Sequence, residues 1–128
     1  MSAYRHLFVV AAAVMVPAVF AAAPKPDIEN GQTTFEQQCG ICHSVEKDVD
    51  KELAPNLVGV VGRKAGTYKN FPNYTPALKA SGIVWTTKLL DEFLVNPPAK
   101  VPGTMMPMMI TDNKTRADVV AYLASLKK

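Results

Sequence analysis

The feature that most constrains this chain is a five-residue segment, Cys39-Gly40-Ile41-Cys42-His43. Two thiols one helical turn apart can each bond to the same edge of a flat macrocycle. The residue after the second thiol can then turn its imidazole toward the centre of the ring. This spacing is typical of c-type haem attachment. The pattern therefore predicts one haem c, bound covalently through Cys39 and Cys42, with His43 as an iron ligand.

Three other interpretations of the segment stay open at this point. A thioredoxin-like redox pair also has two cysteines at this spacing, but it needs a βαβ context, and nothing strand-like flanks the segment. A structural zinc site needs four ligands, whereas residues 24–128 contain two cysteines and one histidine. Chance is the third interpretation, because only three of the five positions are specified.

The inventory of histidines and methionines narrows the choice of a second iron ligand. His43 is the single histidine after residue 23, and every methionine of residues 24–128 lies between positions 105 and 109. A methionine cluster is often core filling or an adhesive surface. Here the predicted haem iron has no second histidine for its sixth position, and thioether is an established haem ligand, so iron ligation by one of these methionines is favoured instead. The candidates are Met105, Met106, Met108 and Met109.

Residues 1–23 have the pattern of a secretory signal peptide. Arg5 precedes an apolar run, residues 7–20, which Pro17 interrupts, and three alanines follow. A retained membrane anchor is the alternative, but the run is near the lower limit of about 17–25 residues for a membrane span. We predict cleavage near residue 23, a periplasmic domain of residues 24–128 and no permanent membrane anchor.

The charge of the predicted domain is small. The chain has 14 basic and 11 acidic residues, and residues 1–23 contain one cation and no anion, so residues 24–128 carry 13 − 11 = +2. This bias is too weak to indicate nucleic-acid binding. A domain of this size buries only about 60–70% of its unfolded surface, so a large flat cofactor would enlarge its core.

The periodicity of apolar residues predicts an all-α fold. Four helices are expected, beginning after Asp27, at Thr75-Pro76, at Thr86 or Thr87, and at about Asp112 or Thr115. The third should end before Asn96-Pro97-Pro98, because a residue that precedes proline is driven out of the helical region. Loops rich in glycine and proline, 54–74 and 97–111, would pack against the haem.

An ordered series of segments over residues 27–128 resembles the class I cytochromes c, the soluble one-haem family of mitochondrial and bacterial c2-type proteins. One residue is inserted relative to that family, near positions 67–73. The resemblance implies the cytochrome c fold, with about four to five helices and long loops around one covalently bound haem. The segments that carry it are Cys39-x-x-Cys42-His43, Ala54-Pro55-Asn56-Leu57, Gly62-Arg63-Lys64, Tyr74-Thr75, Gly82-Ile83-x-Trp85, Asn96-Pro97, Pro102-Gly103-Thr104-x-Met106 and Ala121-Tyr122-Leu123.

The resemblance also implies roles for individual residues. The iron ligand of the family follows Pro-Gly-Thr-x, which is Met106 here, and the family's acceptor for the histidine ring is the carbonyl that matches Pro55. Three positions match residues that hold the buried inner propionate of the haem: Arg63, Tyr74 and Trp85. Thr104 matches a residue near the outer propionate. Gly31 and Phe35 match positions where the first helix crosses the last, against Val119 and Tyr122.

Three departures from the family pattern change what is expected of this chain. Phe93 replaces a tyrosine whose hydroxyl bonds near the methionine sulfur, which predicts a lower reduction potential. Leu78 replaces an asparagine of the interior water network. The ring of lysines around the haem edge is largely lost, since the matching positions include Gln38, Pro98, Ala99, Met105, Asp112 and Asn113, although Lys100 and Lys114 remain. We therefore expect docking through apolar contacts around Met105 and Met108.

The resulting expectation is a monomeric periplasmic one-electron carrier that is not an enzyme. Its expected partners are redox proteins such as a membrane oxidase, a bc1-type complex, a dehydrogenase or a reductase. Two alternatives stay open: a haem subunit of a larger oxidoreductase complex, and a c-type haem peroxidase or ligand-binding protein, which would need an open coordination position.

Overall fold

The computed structural model of this protein describes residues 22–127. The predicted signal peptide, residues 1–23, lies outside that range except for its last two alanines, so its cleavage stays a prediction. In the described range the only strand-like pairing is an isolated bridge between Lys64 and Val84, and no helix is long and apolar enough to cross a bilayer. The α-helices of this range are α1 (Ile28–Thr34), α2 (Pro76–Ala80), α3 (Thr87–Val95), α4 (Pro97–Lys100) and α5 (Asn113–Ser125).

The first helix begins where the sequence predicts and then changes its winding. The side chain of Asp27 accepts a hydrogen bond from the N–H of Asn30 at 3.1 Å, which satisfies a donor of the first turn. Beyond Thr34 the chain continues as a π-helical turn, Phe35–Cys39, in which the Gly40 N–H donates to the Phe35 carbonyl at 2.7 Å. The spacing of apolar residues after Asp27 predicted a helix but not this change of winding. A single wide turn of this kind is frequent at functional sites, and here it delivers the first cysteine.

The first and last helices cross each other, as the resemblance implied. Phe35 and Tyr122 pack with their ring centroids 5.7 Å apart. Val119 of α5 is 1% exposed, so this contact forms part of the core. The crossing holds the Cys39 end of the π turn against the body of the protein.

Capping side chains determine where the helices α2, α3 and α4 begin. The side chains of Thr75, Thr86 and Asn96 each accept a backbone N–H in the first turn of the helix that follows. The sequence predicted that α3 ends before Asn96-Pro97, but it did not predict α4. The two observations agree physically: Asn96 is extended, as a residue before proline should be, and its side chain then caps a new helix whose first residue is Pro97.

Candidate haem site

A cavity of about 460 Å³ lies at the centre of the described domain. Its volume is in the range of about 300–1,000 Å³ that is usual for ligand and cofactor sites. Apolar side chains form most of its wall, including Phe35 of the π turn, Leu90 of α3 and Leu123 of α5. All the residues that the sequence analysis assigned to the site line this cavity: Cys39, Cys42, His43, Pro55, Arg63, Tyr74, Trp85, Thr104 and Met106.

His43 is oriented by the segment that faces it. Its Nδ1 lies 2.7 Å from the carbonyl oxygen of Pro55. A carbonyl oxygen can only accept, so Nδ1 carries the hydrogen and Nε2 keeps a free lone pair. Burial lowers the pKa of His43, and the bond to Pro55 opposes this shift only in part. The ring therefore presents a neutral nitrogen, which is the form that binds a metal.

The two cysteines are not joined to each other by a disulfide, and they differ in exposure. Cys39 is buried at the end of the π turn, and Cys42 is exposed at the rim of the cavity. Burial and the neighbouring Cys42 raise the pKa of Cys39 to about 11. A buried neutral thiol is the opposite of the acidic thiolate that a thioredoxin-like pair needs. Residues 22–127 also lack the βαβ context of that fold, since their only strand-like pairing is the bridge between Lys64 and Val84.

Asn56 holds the segment that carries Pro55, a role that sequence reasoning missed. Asn56 is 2% exposed. Its amide donates to the carbonyls of Glu46 and Val49 at 2.7 and 2.8 Å, and its side-chain oxygen accepts from the Val58 N–H at 2.8 Å. One side chain thus connects three points of the segment 46–58 by hydrogen bonds. A single asparagine in an otherwise apolar stretch, residues 53–61, is the signal that could have revealed this role.

The polar wall of the cavity is built around Arg63. Its guanidinium donates to the carbonyl of Asn56 at 2.7 Å and lies 5.0 Å from the ring centroid of Tyr68. Burial lowers the pKa of Arg63, but a guanidinium stays charged in proteins. Tyr74 and Trp85 line the same cavity, and their hydroxyl and indole N–H are hydrogen-bond donors. The three residues can therefore receive a carboxylate on this side.

Residues 102–111, which we name the methionine loop, supply the thioethers. Met106 is half-buried, and its N–H donates to Thr104 Oγ1 at 3.4 Å. The far end of the loop is anchored where the Ile110 N–H donates to the Leu94 carbonyl at 2.8 Å. Arg116 braces the same point, because its Nη1 donates to the Ile110 carbonyl at 3.0 Å. Sequence reasoning did not identify Arg116, whose signal is a charge among the apolar positions of the last helix.

The donor set fits haem. Five side chains of this donor set line one apolar cavity. They are the His43 imidazole with its free Nε2, the sulfurs of Cys39 and Cys42, the Met106 thioether and the Arg63 guanidinium. A zinc site has less support, since no group of three His, Cys, Asp or Glu side chains in residues 22–127 is placed to hold a metal ion.

Comparison with known proteins agrees with this geometry. The family model for cytochrome c matches residues 28–127. Cytochrome c of Tetrahymena pyriformis is 44% identical over 104 residues, which cover 80% of this chain and 92% of that protein. Cytochrome c of Euglena viridis is 42% identical over 102 residues, or 79% of this chain and 98% of the relative. A cytochrome c homolog of Bradyrhizobium diazoefficiens is 40% identical over 102 residues, which cover 79% of this chain and 55% of that protein.

The match to the family model extends over all the described helices and the loops between them. The comparisons confirm the expected all-α fold and the covalent haem. The chain belongs to the cytochrome c family, and it is an electron-carrying haem protein with one covalently attached haem c.

Proposed function

We propose that this protein is an exported, freely diffusing one-electron carrier of the bacterial periplasm, with His43 and Met106 as the two protein ligands of its iron. The observation that carries the proposal is the convergence of a braced imidazole and a half-buried thioether on one apolar cavity. In this proposal Cys39 and Cys42 hold the haem, and Arg63, Tyr74, Trp85 and Thr104 receive its propionates.

When bound, haem supplies a one-electron couple between Fe(III) and Fe(II). The surrounding residues would hold the two iron ligands in the same positions before and after electron transfer. The carbonyl of Pro55 fixes the His43 ring, and the anchored methionine loop holds Met106. If His43 and Met106 both held the iron, no site on it would remain for a peroxide or a gas, which favours a carrier over an enzyme.

We infer that partners dock on an apolar and weakly charged surface around the mouth of the cavity. Leu53 and Met105 line this mouth and are 72% and 83% exposed. The two lysines left from the family's ring are both engaged, since Lys100 pairs with Glu92 and Lys114 lies 2.7 Å from Asp118. The fitting partner is a redox protein with an uncharged apolar patch around its own cofactor, such as an oxidase, a bc1-type complex, a dehydrogenase or a reductase.

Electron self-exchange tests this surface without a known partner. We expect the self-exchange rate of the holoprotein, measured by NMR line broadening in mixed oxidation states, to depend weakly on ionic strength, because two nearly neutral faces meet. Met105→Lys should slow the exchange at low salt and make it salt-dependent. Met109→Lys adds the same charge at a residue that does not line the cavity, so its effect should be smaller. A steep salt dependence of the wild type would contradict the proposed surface.

Ligation and export are tested on the full chain expressed in a bacterial host that attaches c-type haem. Carriers of this kind show a long-wavelength ferric band from the iron–thioether bond, which the wild-type holoprotein should show and which Met106→Ala should change in position or intensity. A five-coordinate, high-spin ferric spectrum at neutral pH would favour the enzyme. N-terminal sequencing of the periplasmic holoprotein should begin at about residue 24. Purification only as part of a larger complex would favour the subunit interpretation.

A further inference from the structure

The exposure of the methionine loop alternates with a period of two residues. Thr104, Met106 and Met108 are half-buried and Ile110 is buried, whereas positions 105, 107 and 109 between them are exposed. Successive side chains of an extended chain point to opposite sides. Met106 and Met108 therefore lie on the same, inward side of the loop.

Both inward methionines line the cavity. The outward ones differ: Met105 reaches the rim but is 83% exposed, and Met109 is 51% exposed and is not part of the lining. Residues two apart in an extended chain are separated by about 6.5–7 Å along it. The methionine side chain is unbranched and has three rotatable bonds, so its sulfur can cover part of that distance without a change in the backbone.

The described hydrogen bonds of the loop are concentrated at its two ends. The Thr104 N–H donates to the carbonyl of the buried Val101 at 3.0 Å, and the Ile110 N–H donates to the Leu94 carbonyl at 2.8 Å. Among the described residues, the only hydrogen bond made by positions 105–109 is that of the Met106 N–H to Thr104 Oγ1, at the long distance of 3.4 Å. The middle of the loop can therefore shift by a few ångströms while its anchors keep the inward side against the cavity.

We propose that Met108 is a reserve ligand of the iron, which takes the sixth position when the Met106 sulfur leaves it. The exchange breaks one iron–sulfur bond and forms another, and it moves no proton and no electron. It replaces a neutral thioether with the same group, so the haem stays six-coordinate. The inference rests on the proposed function, which assigns the sixth position to Met106.

The test compares three variants of the holoprotein by ferric absorption: Met106→Ala, Met106→Ala/Met108→Leu and Met106→Ala/Met105→Leu. The two double variants are matched, because leucine and methionine have similar volumes. We expect the iron–thioether band in the first and third variants and its loss in the second, with a fall in reduction potential in the second alone. Loss of the band from all three would overturn the proposal, as would its survival in the second variant.

The spectrum of the wild-type protein distinguishes failure of the Met106 assignment from failure of the reserve role of Met108. If the wild type lacks the band, the assignment of Met106 fails and the reserve role fails with it, whereas a band in the wild type alone refutes only the reserve role.

Should Met106→Ala not accumulate as holoprotein, the NMR spectrum of the ferrous wild type with labelled methionine methyl groups is recorded as the sample is warmed in stages. A second ring-current-shifted methyl should appear, and it should be missing from Met108→Leu. Its absence from the wild type would refute the proposal.

Discussion

Gly31 in α1 meets the main chain of Asp118 in α5: a Cβ placed on Gly31 would lie 2.1 Å from the Asp118 carbonyl oxygen. The same carbon would lie 3.0 Å from the Cβ of Tyr122. No backbone or side-chain rotation within one helix relieves a contact this short. Position 31 requires glycine because the two helix backbones approach each other there. The close approach places Phe35 of the π turn against the last helix and brings Cys39, at the end of that turn, into place.

Gly31→Ala should lower the free energy of unfolding of the holoprotein by about 1–3 kcal/mol or more, because the helices must separate. Urea unfolding followed by circular dichroism measures this change. Gln32→Ala is the matched control, since Gln32 is exposed and, among the described residues, its side chain bonds only to Glu36 in the π turn that follows. Equal effects of the two substitutions would show that the close approach does not determine stability.

The carboxylate of Asp118 joins the same two helices by charge. It accepts hydrogen bonds from the Asp27 N–H, the Asn30 amide and the Lys114 ammonium, the shortest in each case 2.7 Å. Burial raises the pKa of Asp118, but the hydrogen bonds from Lys114, the Asp27 backbone and Asn30 outweigh it and hold the pKa below its ordinary value of 3.8. The ionised form is therefore the one that stabilises the crossing.

Asp118→Asn should destabilise the holoprotein by about 1–3 kcal/mol at pH 7. A carboxyl group whose folded pKa is lowered contributes fully above its ordinary pKa, and the contribution is lost as the pH falls through the folded value. The difference between wild type and Asp118→Asn should therefore shrink below about pH 4. Urea unfolding at pH 7 and pH 3 measures it, with Glu29→Gln, an exposed acid of α1, as control. A difference that does not change with pH would contradict the role of the charge.

Arg116 braces the methionine loop from behind. It is 7% exposed, and its Nε donates to Asp91 at 2.7 Å while its Nη1 donates to the Ile110 carbonyl. A lysine cannot make both bonds in this geometry, so Arg116→Lys should loosen the Ile110 anchor. The iron–thioether band should then disappear at a lower urea concentration than in the wild type. Lys88→Ala, which removes only an exposed ion pair of 4.0 Å, should leave the midpoint unchanged, and an equal shift in both variants would refute the bracing.

Phe93 stands where the family has a tyrosine that bonds near the ligand sulfur. It is buried, lines the cavity and packs edge-on against Trp85 with a centroid distance of 5.0 Å. Phe93→Tyr should raise the reduction potential, because a hydroxyl near the sulfur reduces the electron density that the thioether gives to ferric iron. Redox titration measures the change. Phe71→Tyr is the control, because it places a hydroxyl at another position in the same cavity. An unchanged or lower potential in Phe93→Tyr would contradict the prediction.

Local signals were enough to predict most of the helices. The helices that follow Asp27, Thr75 and Thr86 begin where the sequence predicted, with Thr86 rather than Thr87 as the cap of the third. The signal is local, because a capping side chain and the residue it bonds are within three positions of each other. The π turn at Phe35–Cys39 and the helix α4 escaped prediction. The π turn is one of two alternative windings of its segment, and packing around the cavity decides between them. Helix α4 has a local signal, the Asn96 cap before Pro97, which sequence reasoning missed.

The sequence by itself determined the chemistry of this protein: two thiols and an imidazole at one spacing, a single histidine in the predicted domain and one cluster of thioethers. These are facts of residue identity and short-range order, which do not depend on how the chain packs. Only the tertiary structure decided that Asn56 holds the Pro55 carbonyl on His43, that Arg116 anchors Ile110, and that Met108 faces the cavity beside Met106. Those relationships join residues distant in sequence or depend on which side of a loop is buried, so they exist only once the chain has folded.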